Sequence, residues 1–268
     1  MLLKMRNRVV VLLLALGNVI PCFGQNFDGT CLSSTVPFYS EMPYVFEGSE
    51  NYFISFKSNP AVLRALVPEP LTPISNGEIT IVFARHRIVT PEKINYNEAY
   101  FVIPVSYGTT YGGFIPVLYL DKIESITPAR EIWGYNKVGG EFQFVEKDNK
   151  ITITVNQMDS LLMKASFVLG DPFTPPEQPQ SGPAFNLKYI PSVAENAPPD
   201  VKQITISELQ DRKTSKMRLG EATLEFFGSR YNPLDEIPIL EIVKAGYQVR
   251  SFSMIYGEVL YDYLKKNE

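Results

Sequence analysis

One lysine in this chain stands in surroundings that could make it a nucleophile. In Arg130-Glu131-Ile132-Trp133-Gly134-Tyr135-Asn136-Lys137-Val138-Gly139-Gly140, Lys137 follows an aromatic run that holds the only Trp, and a Gly pair comes after it. Apolar surroundings penalise an ammonium ion, so an amine placed there gives up its proton more readily and turns nucleophilic near pH 7. The same stretch also reads as a loop lysine pointing into water, and its pattern alone leaves that reading open.

Other chemistries lack their residues. His86 is the only histidine, so a histidine-rich zinc site cannot be built. A Ser-His-Asp triad would need His86 itself, and there is no Gly-x-Ser-x-Gly elbow. Neither a P-loop nor Gly-x-Gly-x-x-Gly occurs, so no nucleotide, cofactor or metal is expected. Arg85-His86-Arg87 closes an apolar run and reads as a polar strand end. With 25 Lys+Arg against 29 Asp+Glu, the chain carries no excess of basic residues for a nucleic-acid partner.

The elements that must hold Lys137 are mainly strands. Residues 79–84, 100–107, 113–120, 141–145 and 151–155 are rich in β-branched and aromatic residues, many bounded by Gly, Pro or Asn. Lys150-Ile151-Thr152-Ile153-Thr154-Val155 alternates strictly, as a half-buried strand does, with Asp148-Asn149 as its hairpin turn. Further strands are expected at 185–190, 203–209 and 216–227, then a long one from 241, closed by a short helix over 256–265. Asn59-Pro60 opens a helix over 61–66, because Asn caps well and Pro suits the first helical position. Pro68 and Pro70 end it. Five prolines between 171 and 183 make a surface loop. No βαβ rhythm is present, so a closed or nearly closed antiparallel barrel with peripheral helices fits best.

The first residues read as a leader. Lys4, Arg6 and Arg8 precede the apolar run 9–16, and a cleavage site follows at Gly24. Eight strongly apolar residues are too few to span a hydrocarbon core of about 30 Å. The expectation is a signal peptide at 1–24, export to the periplasm or beyond, and no stable membrane insertion after cleavage. Removal of the three basic residues takes the net charge from −4 to −7 and leaves Cys31 as the only cysteine. An exported chain without an internal disulfide must draw stability from packing or assembly.

Several motifs, in collinear order, resemble the acetoacetate decarboxylase family: Pro43-Tyr44-x-Phe46, Leu66-Val67-Pro68-Glu69-Pro70-Leu71, Ile103-Pro104-Val105-Ser106, Tyr119-Leu120-Asp121 and Arg130-Glu131. Asn232-Pro233-Leu234, Ile237-Pro238, Glu241-Ile242-Val243 and Tyr261-Asp262-Tyr263-Leu264 continue the series. The resemblance spans residues 43–264. It implies that 25–268 is a single domain of α+β class, mainly antiparallel, forming a closed β-barrel with peripheral helices, and that the chain is a homo-oligomer.

The resemblance also implies roles. The family's nucleophile is the lysine a few residues after the Arg-Glu pair, which is Lys137 in this sequence. Acetoacetate decarboxylase is itself the usual illustration of a lysine activated by desolvation or a neighbouring cation. Lys137 would condense with a ketone to a protonated imine, an electron sink from which a β-carboxylate leaves as CO₂. Glu98 holds the place of the family's carboxylate before the Ile-Pro-Val-Ser strand. Arg130, Glu131, Trp133 and Val138 are expected around the substrate.

Departures accompany the match. The second lysine of the family's pair is Val138, its proline is Asn136, an arginine before the Tyr-Phe pair aligns with Glu50, and a glutamate aligns with Ile81. These changes imply a less cationic pocket. The expected function is a lysine Schiff-base lyase acting on a β-keto acid or related carbonyl compound, as a decarboxylase or an imine-forming aldolase or dehydratase. The alternative is a non-catalytic extracytoplasmic barrel that binds a small apolar or carbonyl ligand.

Overall fold

The computed structural model describes residues 40–175 and 182–265. The leader at 1–24 and residues 176–181 of the Pro-rich loop lie outside them. The strands run in chain order as β1 (Tyr44–Lys57), β2 (Thr72–Pro73), β3 (Glu78–Thr90), β4 (Ile94–Tyr107), β5 (Thr110–Phe114) and β6 (Leu118–Leu120). After them come β7 (Lys137–Gly139), β8 (Glu141–Lys147), β9 (Lys150–Gln157), β10 (Ser160–Leu169), β11 (Ala184–Ile190) and β12 (Val201–Ser207). The last are β13 (Leu209–Phe226), β14 (Gly228–Ser229), β15 (Asn232–Pro233), β16 (Glu241–Met254) and β17 (Glu258–Asp262). Helix α1 (Pro60–Leu66) and helix α2 (Ile123–Pro128) are short, and α2 runs on into a π-helical turn at Ala129–Trp133.

Local signals explain several of these. Asn59 accepts a hydrogen bond from the Ala61 amide at 2.9 Å, capping α1 where the sequence places the cap. Asp148 and Asn149 both take positive φ, 51° and 59°, which is the twist that a two-residue hairpin between β8 and β9 requires.

All strands but β14 and β15, which pair with each other, join into one large sheet in the order β17-β12-β11-β5-β4-β3-β1-β16-β13-β10-β9-β8, with β2 on β4 and with β6 between β4 and β7. Its pairings are antiparallel except β5 with β11 and β6 with β7. The sheet is not closed into a barrel, contrary to the expectation: β17 pairs with β12 and β8 with β9, and the two end strands do not meet. Edge strand β8 carries Glu141, Glu146 and Lys147, and charge of this kind keeps an edge from recruiting another strand.

Other expectations also change. Strand β1 was not anticipated, yet it lies at the centre, paired to β16 and β3. The strand expected over 113–120 breaks into β5 and β6, with Pro116, which has no amide hydrogen, in the gap. The helix expected over 256–265 is strand β17, because Val259 and Tyr261 pair with Thr205 and Ile204 of β12; tertiary pairing outweighs local preference. Strand β3 does not end at Ala84 but continues through Arg85-His86-Arg87 to Thr90.

Burial falls into two clusters. The larger contains Ile54, Phe56, Ile79, Phe83, Phe101, Ile153 and Phe167 between the sheet faces. The smaller gathers Phe46, Tyr96, Ile115, Leu118, Trp133, Tyr135 and Phe252 around the segment that carries Lys137.

Candidate active site

Strand pairing brings Lys137 to Glu98. The three-residue strand β6 serves as a spacer: Leu118 pairs with Tyr100 of β4 on one side and with Lys137 of β7 on the other. Glu98 is two residues from Tyr100, on the same face of β4. Lys137 therefore reaches diagonally across β6, and its Nζ lies 2.8 Å from Glu98 Oε2. Both residues are buried, at 7% and 5% exposure.

The segment before Lys137 is fixed by its own polar groups. Arg130 donates to the Lys137 carbonyl at 2.9 Å and to Asn136 Oδ1 at 3.1 Å. Asn136 in turn donates to the Pro116 carbonyl at 2.9 Å. The Trp133 indole donates to the Ile255 carbonyl at 2.7 Å, and its own carbonyl accepts from Thr205 at 2.6 Å. Gly134 ends the π-helical turn at φ 81°, and a Cβ there would lie 2.5 Å from the Lys188 Cβ, so only glycine fits.

Lys137 and Glu98 open into a cavity of about 400 Å³, within the usual range for small-molecule sites. Its lining is largely apolar and aromatic, including Phe46, Tyr96, Ile115, Leu118 and Phe252. Gly182 and Pro183, the described end of the Pro-rich loop, also contribute. Arg212 is the one other cationic side chain among the described lining residues; its Nε donates to the Leu209 carbonyl at 2.8 Å. Burial, with the charge of Arg250 added, shifts this guanidinium below its ordinary value, though an arginine remains a cation at any physiological pH.

Electrostatics sets the protonation of the wall. Burial by itself would raise the Glu98 carboxyl, but the Lys137 ammonium and His86 beside it outweigh burial and hold it down at about 2. Burial pushes Tyr96, Tyr100 and Tyr135 upward, with the Glu98 charge adding to each, so all three keep their hydroxyl protons. Tyr135 and Ser207 share a hydrogen bond of 2.8 Å in the wall.

Of the residues expected around the substrate, the structure brings only Lys137 and Glu98 to the cavity. Arg130, Glu131, Trp133 and Val138 are not among its lining residues. Arg130 braces the Lys137 backbone, Glu131 is exposed, Trp133 packs in the smaller cluster, and Val138 turns to the larger one. Glu50 and Ile81 do not line the cavity either. Ile81 is fully buried in the larger cluster, and Glu50 accepts from Tyr247 at 2.8 Å and pairs with Arg85 at 3.4 Å. The departures at 50, 81 and 138 thus leave the lining untouched.

His86 is the residue that the sequence reading missed. It is 5% exposed, lines the cavity, and holds Nε2 3.5 Å from Glu98 Oε1. Phe46 meets its ring edge-on at 5.4 Å. The signal was available in the alternation of β3: Arg85 and Arg87 point outward, so His86 and Ile88 must point inward.

Comparison with known proteins bears on the family and the fold. The family model for acetoacetate decarboxylase matches residues 33–264. The acetoacetate decarboxylase of Burkholderia vietnamiensis is 32% identical over 241 residues, covering 86% of this chain and 93% of that protein. Among solved structures, the acetoacetate decarboxylase of Legionella pneumophila superposes with a TM-score of 0.76 at 23% identity, over 94% of this chain and 100% of the other. The enduracididine biosynthesis enzyme MppR, solved in complex with pyruvate, superposes with a TM-score of 0.72 at 16% identity, over 84% of this chain and 93% of its own. The last two likenesses speak for the fold alone.

Proposed function

We propose, from the premise that the chain belongs to the acetoacetate decarboxylase family, that Lys137 forms an imine with a small keto acid or related carbonyl compound held in the cavity. The observation that carries the reading is a lysine amine 2.8 Å from a buried carboxylate in the wall of an apolar cavity. The amine must release a proton before it attacks the carbonyl carbon, and Glu98 is its nearest acceptor. Loss of water then leaves the protonated imine. In a β-keto acid the bond to the carboxylate breaks, CO₂ departs, and the bond's electron pair becomes an enamine. Protonation of the enamine carbon and hydrolysis return the amine and the ketone, with one proton consumed overall. A dry, apolar wall favours the step because a carboxylate loses its charge as it leaves.

The fold is shared with MppR, whose complex holds the keto acid pyruvate, and this supports the keto-acid class without choosing a reaction. The apolar lining also supports a second reading, a cavity that binds a carbonyl ligand and goes no further. Borohydride reduction in the presence of acetoacetate and of a panel of neutral ketones and aldehydes, followed by peptide mass mapping, separates them. The expected result is a reduced adduct on Lys137, absent in Lys137→Ala, with CO₂ released from acetoacetate or another β-keto acid. An adduct without CO₂ from any keto acid favours the second reading, and no adduct with any carbonyl compound overturns the imine chemistry. Export after cleavage at 1–24 and a homo-oligomeric state are also part of the proposal, and the mass of the protein recovered outside the cytosol and light scattering check them.

A further inference from the structure

The enamine step consumes a proton that the cavity wall is poorly equipped to supply. Within the lining, Tyr96, Tyr100 and Tyr135 hold their protons tightly, Arg212 does not titrate in the physiological range, and Lys137 is occupied as the imine. Glu98 can pass a proton on but must recover one for every turnover. Its neighbour His86 borders a second space as well. On the outer side of β3 and β4 lies an open polar depression of about 700 Å³, lined by Glu50, Arg85, Arg87, Asn95, Asn97 and Asp121 among others. His86 and Tyr96 are the two residues that line both the apolar cavity and this depression. The His86 ring is a partition between them: Nε2 faces Glu98 at 3.5 Å, and the buried Nδ1 has no hydrogen-bond partner among the described residues. No hydrogen bond at Nδ1 among the described residues therefore fixes the ring in this orientation.

We propose that His86 relays protons from the polar depression to Glu98, and so recharges the group that protonates the enamine carbon. The proposal rests on the imine reading of Lys137. The His86 ring turns towards the depression, Nε2 takes a proton from water there, and on the ring's return the same proton passes from Nε2 to Glu98 Oε1. Glu98 delivers it to the enamine carbon and returns to carboxylate, and His86 is left neutral in the tautomer in which it began, with Nε2 free to accept again. One proton enters from water and one bond to carbon forms; nothing is oxidised or reduced. Imidazole suits the task because it gains and gives up a proton near neutral pH. The charged and titratable groups facing His86 are Glu98 and Tyr96 from β4, Lys137 from β7, Glu50 from β1, its strand neighbours Arg85 and Arg87, and Asp121 and Lys122 at the end of β6. Because His86 acts through Glu98, it is a positioning and relay residue.

The test separates imine formation from carbon protonation. Acetone in D₂O exchanges its methyl hydrogens by forming the enamine on Lys137 and taking deuterium back, and NMR follows the rate; borohydride trapping of acetone on Lys137 reports the imine alone. The His86→Gln variant should keep the Lys137 adduct and lose roughly 10²-fold in exchange rate, with partial rescue by free imidazole. Asn95→Trp, at an exposed position that lines only the depression, should slow exchange several-fold with trapping unchanged. This second variant keeps the proposal falsifiable if His86→Gln does not fold. An unchanged exchange rate in either folded variant overturns the relay alone. No adduct in the unaltered protein overturns the imine reading and the relay with it.

Discussion

Two carboxylate–cation pairs share the same sheet and differ in nearly everything but their charges. Glu98 and Lys137 meet at 2.8 Å with side chains 6% and 8% exposed; Glu50 and Arg85 meet at 3.4 Å with side chains 36% and 43% exposed. In the second pair, water screens both charges, and such pairs contribute between nothing and about 1 kcal/mol. In the first, each charge has lost its hydration and depends on the other, so breaking the pair costs far more than forming it gained. One pair decorates a surface depression. The other holds an amine and a carboxylate against each other in the wall of an apolar cavity.

The largest effect expected from breaking this contrast is chemical. Lys137→Met removes the only amine among the described lining residues, and decarboxylation and carbonyl trapping should fall to background. The next is on stability. Lys137→Met leaves the Glu98 carboxylate buried without its ammonium, so denaturant unfolding should show a loss of about 3–5 kcal/mol. The double variant with Glu98→Gln should recover much of that loss, since both charges are then gone. If the two single losses simply add, the pair is not coupled as its geometry implies.

Acid should act on the same pair. The folded Glu98 carboxyl is held near 2 against an ordinary 4.5, so its contribution to stability is full above about 4.5 and is lost as pH falls towards 2. Glu98→Gln should flatten the stability profile across that window, measured by thermal unfolding at a series of pH values. The smallest effect belongs to the outer pair. Glu50→Gln should change stability by less than about 1 kcal/mol, and less still at high salt. A loss comparable to that of the buried pair would mean that its hydrogen bond from Tyr247 carries more than its exposure suggests.

How much of this was legible in the sequence depends on the range of the interaction. The Asn59 cap and the Asp148-Asn149 turn are local devices, and both stand where the residues place them. The meeting of Lys137 with Glu98, 39 positions earlier in the chain, came from family resemblance rather than from pattern, because only the pairing of β6 with β4 and β7 brings them together. Arg130, Glu131, Trp133 and Val138 were expected around the substrate from the resemblance and from the segment they share with Lys137. A π-helical turn and the alternation of β7 aim them elsewhere, at the Lys137 backbone, solvent and the two cores. His86 was discounted because two arginines flank it, although that flanking is the very pattern of an inward-facing residue. The 256–265 segment misled for a different reason: nothing in it announces the strand that awaits it in β12.

The single tryptophan of the chain is built into the segment that delivers the lysine, its indole hydrogen-bonded to the Ile255 carbonyl and set edge-on against Tyr44 at 5.9 Å. The protein's ultraviolet emission at tryptophan-selective excitation therefore originates at one point, four residues from the amine. The chain carries its own optical probe, and ligand entry that strains the turn between Trp133 and Lys137 can be followed in a stopped-flow cuvette without a label.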